Sequence, residues 1–107
     1  MTDINLFELT GDGAVRNLTG HERGVEARVR YGLEKLDEAE EPVRVIVPDD
    51  VYTLTPSFFQ GMFAESVRKL GETFLIHYRF DASALIMRQI QRGISSASMR
   101  RGNLLQH

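Results

Sequence analysis

The run VRVIV, Val43 to Val47, and the residues that follow it constrain this chain more than any other feature. Four of its five residues are β-branched and polar alternation is slight, the pattern of a central strand covered on both faces. The connection PDDVYTLTP comes next, with Val51 and Leu54 directed to the core. Phe59, Phe63, Val67 and Leu70 then recur at helical spacing, broadened by Phe58 and Met62. This spacing predicts a helix that starts near Pro56 and stops at Gly71, with Arg68 and Lys69 facing the negative end of its dipole. A covered strand feeding an amphipathic helix calls for α/β layers.

The same alternation recurs on either side. Ile4 to Leu9 reads as a first strand, Thr10 to Gly13 as a turn, and AVRNLT as a second short strand returning in a hairpin. Gly20 to Gly24 leads into a helix with Val25, Val29, Gly32, Leu33 and Leu36 inward and Glu26, Arg30, Glu34 and Glu38 outward. The run DEAEEP and Pro42 end it. Thr73 to Phe80 reads as a strand, Phe74, Ile76, Tyr78 and Phe80 on one side and Leu75, His77 and Arg79 on the other. Asp81 or Ser83 caps a last helix whose core face is Leu85, Ile86, Ile90 and Ile94. The predicted order is β(β)αβαβα with right-handed crossovers, a small single α/β domain over residues 1–94 with helices packed mainly on one face. Residues 95–107 form a basic C-terminal tail without a sustained pattern. Alone it would be flexible, and a second subunit, in a homodimer, is the partner that would order it.

Composition removes several function classes. At 107 residues with 42% apolar and 26% charged, the chain has the balance of one soluble domain. No apolar run approaches the roughly 18 residues of a membrane span, and MTDINLFELTG is no signal peptide, so a cytoplasmic protein with no membrane partner is expected. The absence of cysteine excludes disulfides, thiolate nucleophiles and zinc–thiolate sites. A net charge of −2 argues against a dedicated nucleic-acid binder. The charge is uneven, however. Glu34, Asp37, Glu38, Glu40, Glu41, Asp49 and Asp50 crowd one stretch, whereas no acid follows Asp81 and Arg88, Arg92, Arg100 and Arg101 accumulate. Such asymmetry marks either complementary protein surfaces or solvated faces.

Thr55-Pro56-Ser57 concentrates the chemistry. Proline suits the first helical position, which makes Thr55 the N-cap; in the other register Ser57 is the cap and Gln60 completes a capping box. Either way Ser57 stands in a first turn whose free N–H groups favour a phosphate. Ser57 is thus open to a structural role as a cap or to regulatory phosphorylation. A nucleophilic role fails for want of an oriented base: His21, His77 and His107 are far apart, His77 reads as a half-buried strand residue, and no G-x-S-x-G elbow surrounds Ser57. Asp49 and Asp50 read as a solvated turn, and no local metal-ligand spacing exists. No enzyme, cofactor or metal is expected.

The approach Gly20, Arg23, Gly24 and the turn Val51, Leu54, Thr55, Ser57, Phe58 resemble the bacterial STAS-like family of unknown function, small domains related in fold to anti-sigma factor antagonists. The resemblance covers roughly Gly20 to Gly93, and its sharp element is that turn. It implies a STAS-like fold and a regulatory role. In the antagonists a serine at this turn is phosphorylated by a GHKL-type ATP-dependent kinase, which switches partner binding off; Ser57 would inherit that role. The sequence departs from the pattern where Val47-Pro48 stands at the strand-end aspartate and where Pro56 and Phe58 replace small residues. The expectation is a non-enzymatic protein-interaction module whose partner contacts Asp49, Asp50, Thr55, Ser57 and Phe58, with Phe58 or Phe59 as an exposed aromatic anchor. The alternatives are a small-molecule or nucleotide-binding pocket near Asp49, Ser57 and His77 at the strand C-terminal ends, and nucleic-acid contact by Arg88 to Arg101.

Overall fold

A computed structural model describes residues 2–11 and 15–105, with side chains described as far as Met99. The strands are β1 Thr2–Asn5, β2 Asn17–Leu18, β3 Val43–Ile46, β4 Thr53–Leu54 and β5 Tyr78–Asp81. The helices are α1 His21–Arg30, α2 Leu33–Leu36, α3 Pro56–Leu70, α4 Phe74–His77 and α5 Ala84–Leu105, with 3-10 turns at Leu6–Thr10 and Gly71–Thr73. β1, β3 and β5 form one parallel sheet with β3 in the middle, and β2 pairs with β4, also in parallel. Two crossovers that step the same way across a sheet, with the same hand, put their helices on one face. The protein is accordingly an α/β domain with a parallel sheet and helices packed against it.

The register explains the layers. Val43 and Val45 of β3 lie opposite Tyr78 and Phe80 of β5, and Ile4 of β1 lies opposite Val45. Phe63 of α3 meets Tyr78 and Phe80 edge-on at 5.5 and 5.3 Å, and Phe74 adds a third aromatic contact at 5.7 Å. Such tilted rings add about 0.5–1.5 kcal/mol per pair beyond burial alone. On the reverse face Arg44 is exposed and bound to Asp81 at 2.5 Å. β3 is therefore central but covered on one face, not both: among the described residues no helix lies behind exposed Arg44 and half-buried Ile46.

Several local expectations are corrected. The first strand ends at Asn5, whose side chain accepts the Phe7 N–H at 3.0 Å and turns the chain into a 3-10 helix closed by left-handed Gly11. A short polar side chain that bonds nearby backbone competes with the ladder in this way. The rest of the expected turn, Asp12 and Gly13, lies outside the described residues. The second strand makes no hairpin with the first; its two residues pair with Thr53 and Leu54. The first helix breaks at Gly32, left-handed at φ 64°, and its buried face is Gly24, Ala27 and Arg28. Val25 and Val29 are 40% and 76% exposed. The Thr73–Phe80 strand is half helix, because Phe74 and Tyr78, four apart, satisfy a period of 3.6 as well as a period of 2; Ile76 is left 65% exposed. Ser83, not Asp81, caps α5 by accepting the Ile86 N–H. Leu85 faces out, and Ile86, Ile90 and Ala97 face in. The helix runs through the expected boundary at residue 94, since Ala97 extends the inward stripe across a serine-rich stretch that reads as loop.

Candidate functional site

α1 and α3 both spring from the β2–β4 pair. The Thr55 N–H donates to Leu18 O at 2.9 Å, the Tyr52 N–H to Arg16 O at 2.8 Å, and the Leu54 N–H to the Gln89 side chain of α5 at 2.9 Å. The chain therefore enters α3 from a fixed platform. Thr55 is the N-cap, extended at φ −72° and ψ 156°, and its hydroxyl accepts the Phe58 N–H at 3.3 Å. Pro56 takes the first helical position, where its missing N–H costs nothing. The capping box does not form: the Gln60 amide reaches instead to Gly93 O at 3.0 Å, leaving its buried Oε1 without a partner among the described residues.

Ser57 is exposed, and its Oγ lies 3.3 Å from the Thr55 hydroxyl. With Thr55 as the cap, Ser57 is not needed to close the helix. Its own N–H has no acceptor among the described residues. Phe58 and Phe59 are 1% and 0% exposed, so neither is the aromatic anchor that sequence reasoning placed there. Both fit inside because α3 is enclosed from two sides: Gly93 of α5 lies flat on the Phe59 ring, and Gly24 of α1 lies on Phe58 O. The exposed aromatic in this region is Tyr52, 55% exposed, whose hydroxyl accepts from Arg16 at 3.0 Å while the guanidinium lies 5.5 Å from the ring centre.

Asp49 and Asp50 stand exposed in a turn closed by the Val51 N–H to Pro48 O bond, and neither carboxylate is hydrogen-bonded or ion-paired among the described residues. No group of three acidic or histidine side chains placed to hold a metal occurs among the described residues. The expected pocket is not assembled. Asp49 follows the C-terminal end of β3, whereas His77 immediately precedes β5, parallel to it, and so lies at the opposite end of the sheet. His77 Nε2 is 2.6 Å from Leu36 O, in contact with the end of α2. The cavities beside α1, of about 200 and 170 Å³, include none of Asp49, Ser57 and His77.

A cluster that sequence reasoning missed fastens the same two helices. Asp37, its side chain wholly buried, accepts from Arg28 at 2.6 Å, Ser66 at 2.5 Å and Tyr78 at 2.6 Å. Arg28 also donates to Met62 O at 3.0 Å and Ser66 Oγ at 2.9 Å. Burial alone would push the Asp37 carboxyl up; the bonds from Ser66, Tyr78 and Arg28, with the Arg28 charge, outweigh it and hold the carboxyl below its ordinary value. The Tyr78 phenol is pushed up by burial, by its bond to Asp37 and by the Asp37 charge. Two polar residues on inward stripes, Arg28 beside Gly24 and Ala27 and Ser66 beside Met62 and Phe63, were the available signal. The cluster is largely buried, with exposed Glu65 3.4 Å from Arg28 and Lys69 3.7 Å from Asp37 at its rim, an arrangement that suits a structural clamp.

No helix among the described residues is long and apolar enough to cross a membrane. Compared with known proteins, the chain matches no family model, no curated protein and no solved structure.

Proposed function

We propose that this chain is a non-enzymatic regulatory module, STAS-like in character, which docks a protein partner beside the first turn of α3 and is switched by phosphorylation of Ser57. The observation that carries the reading is the division of labour in that turn: Thr55 caps the helix, and Ser57 is left exposed in its first turn. A phosphate on Ser57 would add about −1.5 to −2 charges at the positive end of a fifteen-residue helix, beside an N–H that has no other acceptor among the described residues. Nothing buried need move to accept it. The modifying partner implied by the family resemblance is a GHKL-type ATP-dependent kinase.

Tyr52 and Arg16 take over the anchoring role first assigned to Phe58, since exposed Tyr and Arg are the side chains most enriched in interface hot spots. The test is capture of partners from the native host by wild type, Ser57→Glu and Tyr52→Ala, with mass spectrometry of bait and prey. The expected result is a phosphopeptide containing Ser57 and a prey protein lost from both variants, with circular dichroism unchanged. Unmodified Ser57 with the same prey in all three samples would return Ser57 to a passive place in the turn.

A further inference from the structure

The parallel sheet β1–β3–β5 is open on one side. The strand register turns two rows of side chains away from the helices: Asp3, Arg44 and Arg79 in one, Asn5, Ile46 and Asp81 in the next. All are exposed except half-buried Ile46, at the centre of the second row. A purely parallel sheet is found almost only with both of its faces covered. Among the described residues no helix covers this one, so its cover has to come from outside the chain's own layers.

The charges on the face say what fits it. Arg44 is neutralised within the chain by Asp81. Asp3 and Arg79 stand at opposite edges of the same row, and neither has an ion pair among the described residues; Arg79 gives only its Nε–H, to Ile76 O at 3.4 Å. Strands lie about 4.8 Å apart, so the free acid and the free base are separated by about 10 Å with β3 between them. A row with an unpaired acid at one end and an unpaired base at the other is its own complement. A half turn about an axis along the middle strand exchanges the two edges and lays Asp3 over Arg79 twice. The same operation brings Ile46, the one apolar side chain of the two rows, opposite its own copy.

We propose that two copies of the chain pair through the open faces of their sheets, about a two-fold axis along β3, with Asp3 of each copy against Arg79 of the other. Facing sheets pack about 10 Å apart, a gap that an arginine and an aspartate span together. The contact is isologous and closes at two copies. It is also small. Three strands of four residues cover about 13 by 14 Å, well below the roughly 800 Å² per partner of a standard interface. The dimer is therefore weak and transient, and salt loosens it. α3 packs on the other face of the sheet, through Phe63 against Tyr78 and Phe80, so this pairing and the switch at Ser57 stand or fall separately.

Sedimentation equilibrium on the full chain, up to about 1 mM protein, tests it. Wild type is expected to show a dimer that grows with concentration and recedes as salt rises to about 0.5 M. Asp3→Lys and Arg79→Glu each set like charges face to face twice, and each should weaken association by about tenfold or more with an unchanged circular dichroism spectrum. An equimolar mixture of the two variants regains association, because both cross-pairs are again of opposite sign; the double variant regains it alone for the same reason. If a charge reversal costs helicity, Asp3→Asn and Arg79→Gln replace the pair, each expected to weaken association without rescue on mixing. A wild type that stays monomeric throughout, association that salt does not move, association that survives both substitutions, or a mixture of the reversed variants that stays monomeric would overturn the proposal.

Discussion

α1 and α3 leave the same pair of short parallel strands and cross where Gly24 meets Gly61, yet they bury opposite kinds of side chain. α3 turns Phe58, Phe59, Met62, Phe63 and Val67 inward. α1 turns in Gly24, Ala27 and Arg28 and leaves its valines to solvent. The difference follows from the space between them. At the crossing a Cβ on Gly24 would run into Phe58 O, and one on Gly61 into His21 O. Helices this close leave no room for branched side chains, and α1 is fastened by a long side chain that reaches past the contact to Asp37. One helix is held by apolar area, the other by a buried charge pair.

The comparison can be broken most severely at its two anchors. Phe63→Ala and Asp37→Ala are each expected to cost about 3–5 kcal/mol in urea unfolding, the first through a cavity and the second by taking from Arg28, Ser66 and Tyr78 their buried acceptor and leaving Arg28 only the exposed Glu65 as a counter-charge. Acid separates them. A carboxyl with a depressed pKa contributes its stability above its unfolded value near pH 4 and loses it as pH falls through the lower folded value. Wild type and Phe63→Ala should therefore weaken in parallel on acidification below about pH 4, while Asp37→Ala follows a flatter curve. Tyr78 has the opposite sign: its raised phenol stabilises the fold at neutral pH, and that contribution fades as pH climbs above about 10. In Tyr78→Phe the alkaline loss should shrink.

The helix crossing comes next. Gly61→Ala forces the two backbones apart and should cost about 1–3 kcal/mol, a loss that Gly24→Ala reproduces without adding to it in full, because both act on one contact. Smaller still is the cap: Thr55→Ala is expected to cost about 1 kcal/mol and Ser57→Ala less than about 0.5 kcal/mol, and a reversed order would show that Ser57 carries the cap after all. Smallest is Val29→Ser, within about 0.5 kcal/mol, which tests whether the outward face of α1 is as idle as its 76% exposure makes it.

α3 was legible in the sequence because every signal agreed there: proline at the first turn, a cap before it, an aromatic stripe, and glycine after cationic residues at the end. β3 was legible from its β-branched run. The inward face of α1 was not, since hydrophobic spacing points to Val25 and Val29, and only the crossing with α3 reveals that small residues and Arg28 belong inside. α4 escaped because Phe74 and Tyr78 fit two periods at once, and the length of α5 escaped because serines hid the inward Ala97. At the candidate site the place of Ser57 was readable. The burial of Phe58 was not, because it depends on neighbours that approach from α1 and α5.

The parallel pairing of the described strands has a kinetic consequence. Thr2 pairs with Val43, Asn17 with Thr53 and Val43 with Tyr78, so each ladder joins residues roughly three dozen positions apart or more. No described pairing can form as a local hairpin on the microsecond scale of such turns. Closing those long loops must precede any return from the ladders, and the α1–α3 crossing, where Gly24 meets Gly61, spans a loop of the same order, so the search for the fold is slow. A chain ordered this way exposes its strand edges until those distant segments have met.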